Sequence, residues 1–365
     1  MKRIIVSVTN DLVNDQRVHK VCSTLLEMDY DIVLIGRKLK NSQSIERPYT
    51  TIRLNLIFNK GFLFYAEYNI HLFFKLLFLK KDVLLSNDLD TLLPNYLISK
   101  LFKKKLVYDS HELFTEVPEL IDRPFVRSFW LAIEKLILPN IKNNITVCKS
   151  IAKYYKFKYG ADFSVIRNFP KKINSIKTGS FPFKIEIQKI ILYQGALNIG
   201  RGLELIIDTM LFCQNTILVI IGSGDIEHAL KKKVLDLKLS DKVKFIGKIN
   251  PFELKKLTRL ADLGLSLEED ICLSYRFALP NKLFDYIQSN VPVLTSDLPE
   301  MKNIVLKYKV GEIVKNRNPE KLASQIKILL KNTNYFSIEK FEYPKNELNW
   351  EKESEKLKNI YRNLK

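Results

Sequence analysis

The chain has 365 residues, 46% of them hydrophobic, and a formal net charge of +19 at pH 7. That is long enough for two domains with separate cores and too apolar for a disordered or low-complexity chain. The basic excess is spread evenly, with 26 Lys and Arg against 17 Asp and Glu up to residue 170 and 33 against 23 beyond it. With no basic tail and no helix-turn-helix, RRM, KH or zinc-finger pattern, it does not indicate specific nucleic-acid binding.

Residues 1–3 carry the charge of a signal-peptide start, but the apolar run 4–8 is too short for its hydrophobic core and ends at Asn10-Asp11. The segment reads as a first strand. Further strands are predicted at 31–36, 51–56, 82–86, 105–109, 144–148 and 164–168. Most lack a period-two alternation, as expected for parallel strands buried on both faces, and helical patterns between them give a βαβ rhythm.

Within this half, the stretch 61–81 is apolar enough to raise a membrane span. However, Glu67, His71 and Lys75 recur at i+4, a polar stripe that a lipid-buried helix would not carry. It reads as an amphipathic helix with Phe64, Phe73, Phe74 and Phe78 packed on the first sheet. The sharper alternative is insertion into an anionic bilayer surface with Lys80 and Lys81 at the headgroups.

"NFPKKINSIKTGSFPFK" is rich in Pro, Lys and small polar residues and reads as a linker. A second strand series follows at 189–195, 216–224, 242–247, 263–267 and 291–296. The expected organisation is a first domain over 1–170, a linker over 171–188, a second domain over 189–347 and a helix over 348–365. That last helix, with Trp350, Leu357, Tyr361 and Leu364 on one face, docks back onto a domain. Each domain is a doubly wound, Rossmann-like α/β unit, with ligand expected in a cleft at the carboxyl ends of the strands. The scattered Cys22, Cys148, Cys213 and Cys272 form no zinc or disulfide framework and fit a reducing compartment.

Three stretches of the second series converge if its strands are parallel. In "YQGALNIGRGLELII", Gly195 allows a close backbone turn, and Arg201 stands ahead of a helix where it can fork onto phosphate oxygens. "IIGSGD" places Gly222 and Gly224 at a tight strand-to-helix turn, a weak signal alone. "ALPNKLFDYIQSNVPVLTSD" opens a helix with Pro280 in its first turn, and Asn281 and Lys282 at an anion-binding N-terminus. Asp285 follows one turn on, suited to a ribose diol, and Asn290 is a left-handed stop. The competing explanation is a solvated lysine and a first-turn acid favoured by the helix dipole.

Taken in order, these stretches resemble the donor domain of GT-B glycosyltransferases, in particular the large retaining family numbered 4. "NDQRVHKVCSTLLEMDYDIVLIG", "SNDLDTLLPNYLISKLFKKKLVYDSHELFTEVPEL" and "NITVCKSIAKYY" extend the likeness to the first half. "YDSHELF" and "LPNKLFDY" are specific to one bacterial subgroup. The resemblance implies two Rossmann-like domains facing across a cleft. It also implies sugar transfer from a nucleoside-diphosphate donor to a saccharide or lipid-linked acceptor in cell-surface polysaccharide synthesis. No metal and no cofactor would be needed, and the enzyme would be cytoplasmic or peripheral on the inner face of the plasma membrane.

By the same likeness Arg201 takes the place of the family's phosphate-binding lysine. Asp285 takes that of the second acid of its E-x7-E signature, and His111 falls where a histidine meets the donor sugar. Arg201 and Lys282 would stabilise the leaving diphosphate. Asp11 and Arg17, with Asp15, lie in the first strand-to-helix loop, where acceptor contacts are expected. The chain departs from the pattern at Ala196, where the family has arginine, and at Phe277, where the first acid would fall; Glu268, Glu269 or Asp270 stand nearby as substitutes. Two other readings stay open: a non-catalytic nucleotide-sugar-binding partner of a transferase, and a nucleotide-sugar epimerase of the same fold.

Overall fold

The computed structural model describes residues 1–13, 15–172, 177–332 and 336–364. It divides into two compact units, Met1–Asn168 with Trp350–Lys365, and Phe169–Asn349. Residues 173–176 of the expected linker lie outside the described residues.

The first unit is built on seven parallel strands: β1 (Arg3–Asp11), β2 (Asp31–Lys38), β3 (Thr50–Asn55), β4 (Val83–Asn87), β5 (Lys105–Ser110), β6 (Asn143–Thr146) and β7 (Phe163–Val165). Their order is β3-β2-β1-β4-β5-β6-β7. Every residue of β4 is buried, which explains why its sequence is a continuous run and not an alternation. The terminal helix Trp350–Arg362 belongs to this unit. It buries Trp350, Leu357 and Tyr361 in the core around β1, and the Trp350 indole donates to Thr24 Oγ1 at 3.1 Å. Each such apolar side chain contributes about 1.5–3 kcal/mol.

The second unit has β8 (Lys189–Gln194), β9 (Thr216–Ile221), β10 (Val243–Gly247), β11 (Leu263–Ser266), β12 (Val293–Thr295) and β13 (Gly311–Ile313), again parallel, in the order β10-β9-β8-β11-β12-β13. The sequence gives no sign of β13, whose three residues are half-buried and centred on Glu312.

In each unit the chain order reverses once, between β1 and β4 and between β8 and β11. The helices flanking such a switch point cover opposite faces of the sheet and leave a crevice at the carboxyl ends of its strands. The candidate residues of each unit sit at that end.

Three sequence expectations are corrected. Pro280 is not in the first turn; it is extended (φ −69°, ψ 142°) and caps the helix Asn281–Gln288, and the left-handed Asn290 (φ 60°) follows the helix cap at Ser289. The helix Gly61–Phe78 faces the unit's interior with Phe64, Tyr68, Leu72 and Leu76, whereas Phe74 and Phe78 are exposed. Lys81 is buried. Its ammonium donates to the carbonyls of Leu77 and Leu79 at the end of that helix, so it cannot serve a headgroup.

Candidate functional site

In the second unit, Gly195 (φ +138°) follows β8, and a Cβ built there would stand 3.4 Å from Lys282 Cε. Gly222, after β9, has φ +147°, and a Cβ there would collide with the Gly195 carbonyl at 1.8 Å. The two loops lie backbone against backbone, with Gly195 N–H donating to Ile221 O and Leu197 N–H to Ser223 O. Gly222 therefore serves this packing, and a Cβ at Gly224 would likewise strike Leu197 O at 2.4 Å. Loop packing alone is enough to require glycine at both positions.

Lys282 is in the first turn of Asn281–Gln288 and is 8% exposed. Its Nζ donates to Glu268 Oε1 at 3.0 Å and lies 3.9 Å from the Tyr193 ring centroid. Arg201 reaches the same oxygen, Nη1 to Oε1 at 3.7 Å, with its guanidinium over the Tyr275 ring. Ser266 Oγ donates to the other oxygen at 2.7 Å. Glu268 is fully buried. Burial raises its pKa, but Lys282 and then Arg201 outweigh that and hold it below the usual carboxylate range.

Glu268 thus orients two cations instead of meeting a ligand itself, which corrects its expected role as a donor contact. Glu269 and Asp270 point elsewhere, to Arg317 and Arg276. Phe277 caps the short helix Leu273–Arg276.

One turn beyond Lys282, Asp285 Oδ2 accepts from Gln194 Nε2 at 3.1 Å, and Gln194 Oε1 accepts from Thr258 Oγ1 at 2.8 Å. Gln194 is missed by sequence reasoning; its only signal is its place as the last residue of β8, directly before Gly195. Asn281 is exposed at the helix start. Gly195, Arg201, Lys282 and Glu268 are therefore one cluster, with Asn281 and Asp285 on the same helix.

In the first unit, His111 follows β5. Its N–H donates to Asp88 Oδ1 at 2.8 Å, ring Nδ1 lies 3.1 Å from Asp88 Oδ2, and Nε2 lies 3.6 Å from Asp109 Oδ2. Burial disfavours the charged ring, but Asp88 and then Asp109 outweigh it and raise the pKa to about 10, so the side chain is an imidazolium at neutral pH. Asp88 adopts φ 56°, ψ 170°, a region that side chains rarely occupy and that costs about 1–3 kcal/mol. Its N–H donates to Asp109 O, which helps hold it there.

Arg17 belongs to this network. It is 4% exposed in the helix Gln16–Leu26 and forks onto Asp109 at 2.7 and 3.1 Å, with a third bond to Ile166 O at 2.9 Å. Burial raises the Asp109 pKa, but Arg17 and then His111 bring it down to about 2. Arg17 is thus engaged inside the unit and not open to an acceptor. Asp11 is also engaged, by Arg53 at 2.9 Å and Ser42 at 2.5 Å, and Asp15 caps the helix through Val18 N–H. Those corrections share a cause: a polar loop residue in sequence shows its charge and not its partner. Asp90 completes the group. It is buried and accepts from Thr9 Oγ1 at 2.5 Å, and burial and then the Asp88 charge push its pKa up to about 7.

Residues 178–346, within the second unit, match the family described as glycosyl transferases group 1. The chain is 26% identical over 261 residues to a chitobiosyldiphosphodolichol beta-mannosyltransferase of Candida albicans, covering 61% of this chain and 55% of the relative. The alignment spans only about half the length of that relative. Among solved structures, sucrose-phosphate synthase from Thermosynechococcus elongatus superposes with a TM-score of 0.82 at 17% identity, covering 99% of this chain and 98% of that one. Anabaena HepE in complex with UDP-glucose gives 0.75 at 12% identity, covering 99% and 100%. At such identities the likeness carries the fold, two Rossmann-like α/β units of the GT-B kind.

Proposed function

We propose that this chain, of group 1 glycosyltransferase type, moves a hexosyl or N-acetylhexosaminyl group from a nucleoside-diphosphate donor to a saccharide or lipid-linked acceptor in cell-surface polysaccharide synthesis. The observation that carries the reading is the buried Glu268 carboxylate holding both Lys282 and Arg201 at the carboxyl ends of β8 and β11. One carboxylate against two cations leaves a positive charge beside the N-terminus of Asn281–Gln288, where free backbone N–H groups add to it.

A diphosphate leaving group gains negative charge as the bond to the sugar breaks. Cations fixed before the reaction stabilise that charge without reorganising. Lys282 and Arg201 are assigned this role, and Lys282 offsets the arginine that Ala196 lacks. Gly195 lets the diphosphate approach the backbone, and Asp285, steadied by Gln194, accepts from the ribose hydroxyls. His111, as an imidazolium, donates to a hydroxyl of the transferred sugar or to developing charge. Transfer proceeds with retention and without a metal, the departing diphosphate taking the acceptor's proton on the same face. The anomeric configuration of the product by NMR, and turnover in excess chelator, decide those two points.

Support for the acceptor class comes from the Candida albicans relative, whose name specifies a lipid-diphosphate-linked saccharide. Support for the donor class comes from HepE, solved with UDP-glucose. Titration calorimetry against UDP-, GDP-, ADP- and dTDP-sugars tests the reading. One nucleotide class should bind at micromolar affinity and lose that binding in Asp285→Ala; no binding to any would overturn it. Ala196 and Phe277 keep one rival, a non-catalytic binding partner, which predicts donor binding with neither hydrolysis nor transfer.

A further inference from the structure

The Lys282 cluster stands at the carboxyl ends of the second unit's strands. At the amino ends of β8 and β9 lies a separate cavity of about 380 Å³. Lys189, the first residue of β8, and Thr216, the first of β9, line it, with the loop that joins the helix Leu203–Thr209 to β9. The second half of the helix Pro319–Lys331 forms another wall. The volume falls within the range of small-molecule sites, roughly 300–1,000 Å³. Ala323 keeps the space open, because it is a small side chain at a buried position where a larger one would fill it.

The walls divide by chemistry. Ala323, Ile326 and Leu330 recur at helical spacing, are all buried, and make one wall apolar. Phe212, 51% exposed, adds an aromatic ring from the loop. Lys327 and Lys331 stand at i+4 on the same helix and are exposed. No acid is among the residues that line the cavity.

Two other lysines in the neighbourhood are already engaged. Lys189 is met by Asp262 at 2.8 Å, and Lys242 donates to the Cys213 carbonyl at 2.9 Å. Lys327 and Lys331 make no ion pair among the described residues. A helix dipole favours lysines in the last turn with or without a ligand, but it gives no reason for an open apolar space beside them.

We propose that this cavity binds a small amphipathic anion. Its apolar body lies between Phe212 and the wall of Ala323, Ile326 and Leu330, and its single anionic head, carboxylate or phosphate, meets Lys327 and Lys331. Such a body displaces water from walls that offer it no hydrogen bonds. The site is at the opposite end of β8 from Gly195 and does not depend on the transferase reading.

Calorimetric titration of the full chain with octanoate and with octyl phosphate, both below micelle-forming concentrations, is the test, with octanol as the neutral control. At least one anion should bind at one site per chain, about fivefold or more tighter than octanol, and more weakly as salt rises. The tighter of the two identifies the head group. Lys327→Glu/Lys331→Glu should remove the preference over octanol and leave the melting temperature unchanged. Ala323→Met should cost the binding of all three by occupying the space. In methyl NMR spectra the anion should shift Ile326 and Leu330, and not Ile199 and Ile271, which flank Gly200 beside Arg201. No binding, equal affinity for octanol, a preference that survives both lysine reversals, or shifts confined to Ile199 and Ile271 overturns the proposal.

Discussion

The two units place the same device at the same end of their sheets, with opposite charge balance. In the second unit one buried carboxylate, Glu268, holds two cations, Lys282 and Arg201. In the first, Asp88 and Asp109 face two cations, His111 and Arg17, beside a third carboxyl, Asp90, whose pKa burial pushes up to about 7. The first group has no surplus of cations, whereas Glu268 by itself does not balance Lys282 and Arg201. Charge left over is what an anion site needs, whereas a balanced cluster fixes a donor in place without drawing phosphate. The difference teaches that position at a switch point does not by itself define an anion site; the count of buried partners does.

Removing a partner from the balanced cluster should have the largest effect. Arg17→Ala strands Asp109 in the interior and should lower the unfolding free energy by about 3–5 kcal/mol, read by urea denaturation with each unit's transition followed separately. A smaller loss would mean that Asp109 finds another partner or takes up a proton.

Next in size, Lys282→Ala should weaken donor binding by about 1.5–3 kcal/mol, the range for a hydrogen bond to a charged group. Arg201 remains to neutralise Glu268, so the fold should survive, as a melting curve will show. Gly222→Ala should cost about 1–3 kcal/mol, because its backbone is left-handed and its Cβ would meet the Gly195 carbonyl. If the fold and donor affinity were both unaltered, the loop packing described for Gly222 would be wrong.

The smallest effect is a titration. The His111 pKa is raised from an ordinary 6.5 to about 10. Stability from its charge is therefore fully present below about pH 6.5 and lost as pH rises through about 10. NMR should show a ring that does not titrate between pH 5 and 8. Asp88→Asn should bring the midpoint down and move that loss to lower pH; an unmoved midpoint would remove Asp88 from the account.

Much of the fold is legible in the sequence because parallel strands buried on both faces must be apolar runs. Val83–Asn87 and Thr216–Ile221 stand out for that reason, while half-buried Gly311–Ile313 does not. The site is legible in residue type and less so in role. Arg201 and Lys282 are each expected at phosphate from separate stretches, but nothing in the sequence says that Glu268 joins them. Asp88 and Asp90, in "SNDLDT", pass unnoticed because their meaning depends on His111 and Thr9, far along the chain. The helix Gly61–Phe78 shows a related limit. Its apolar content is plain, but which phenylalanines face the unit's interior depends on how the helix is rotated against its neighbours.

The central claim is that the second unit's surplus positive charge binds the diphosphate. The direct measurement is calorimetric affinity for the nucleoside diphosphate against the free nucleoside, in the unaltered protein and in Lys282→Ala. The account predicts that the diphosphate binds about tenfold or more tighter than the nucleoside. In Lys282→Ala that margin should shrink while nucleoside affinity stays the same. An undiminished margin in the variant would contradict it.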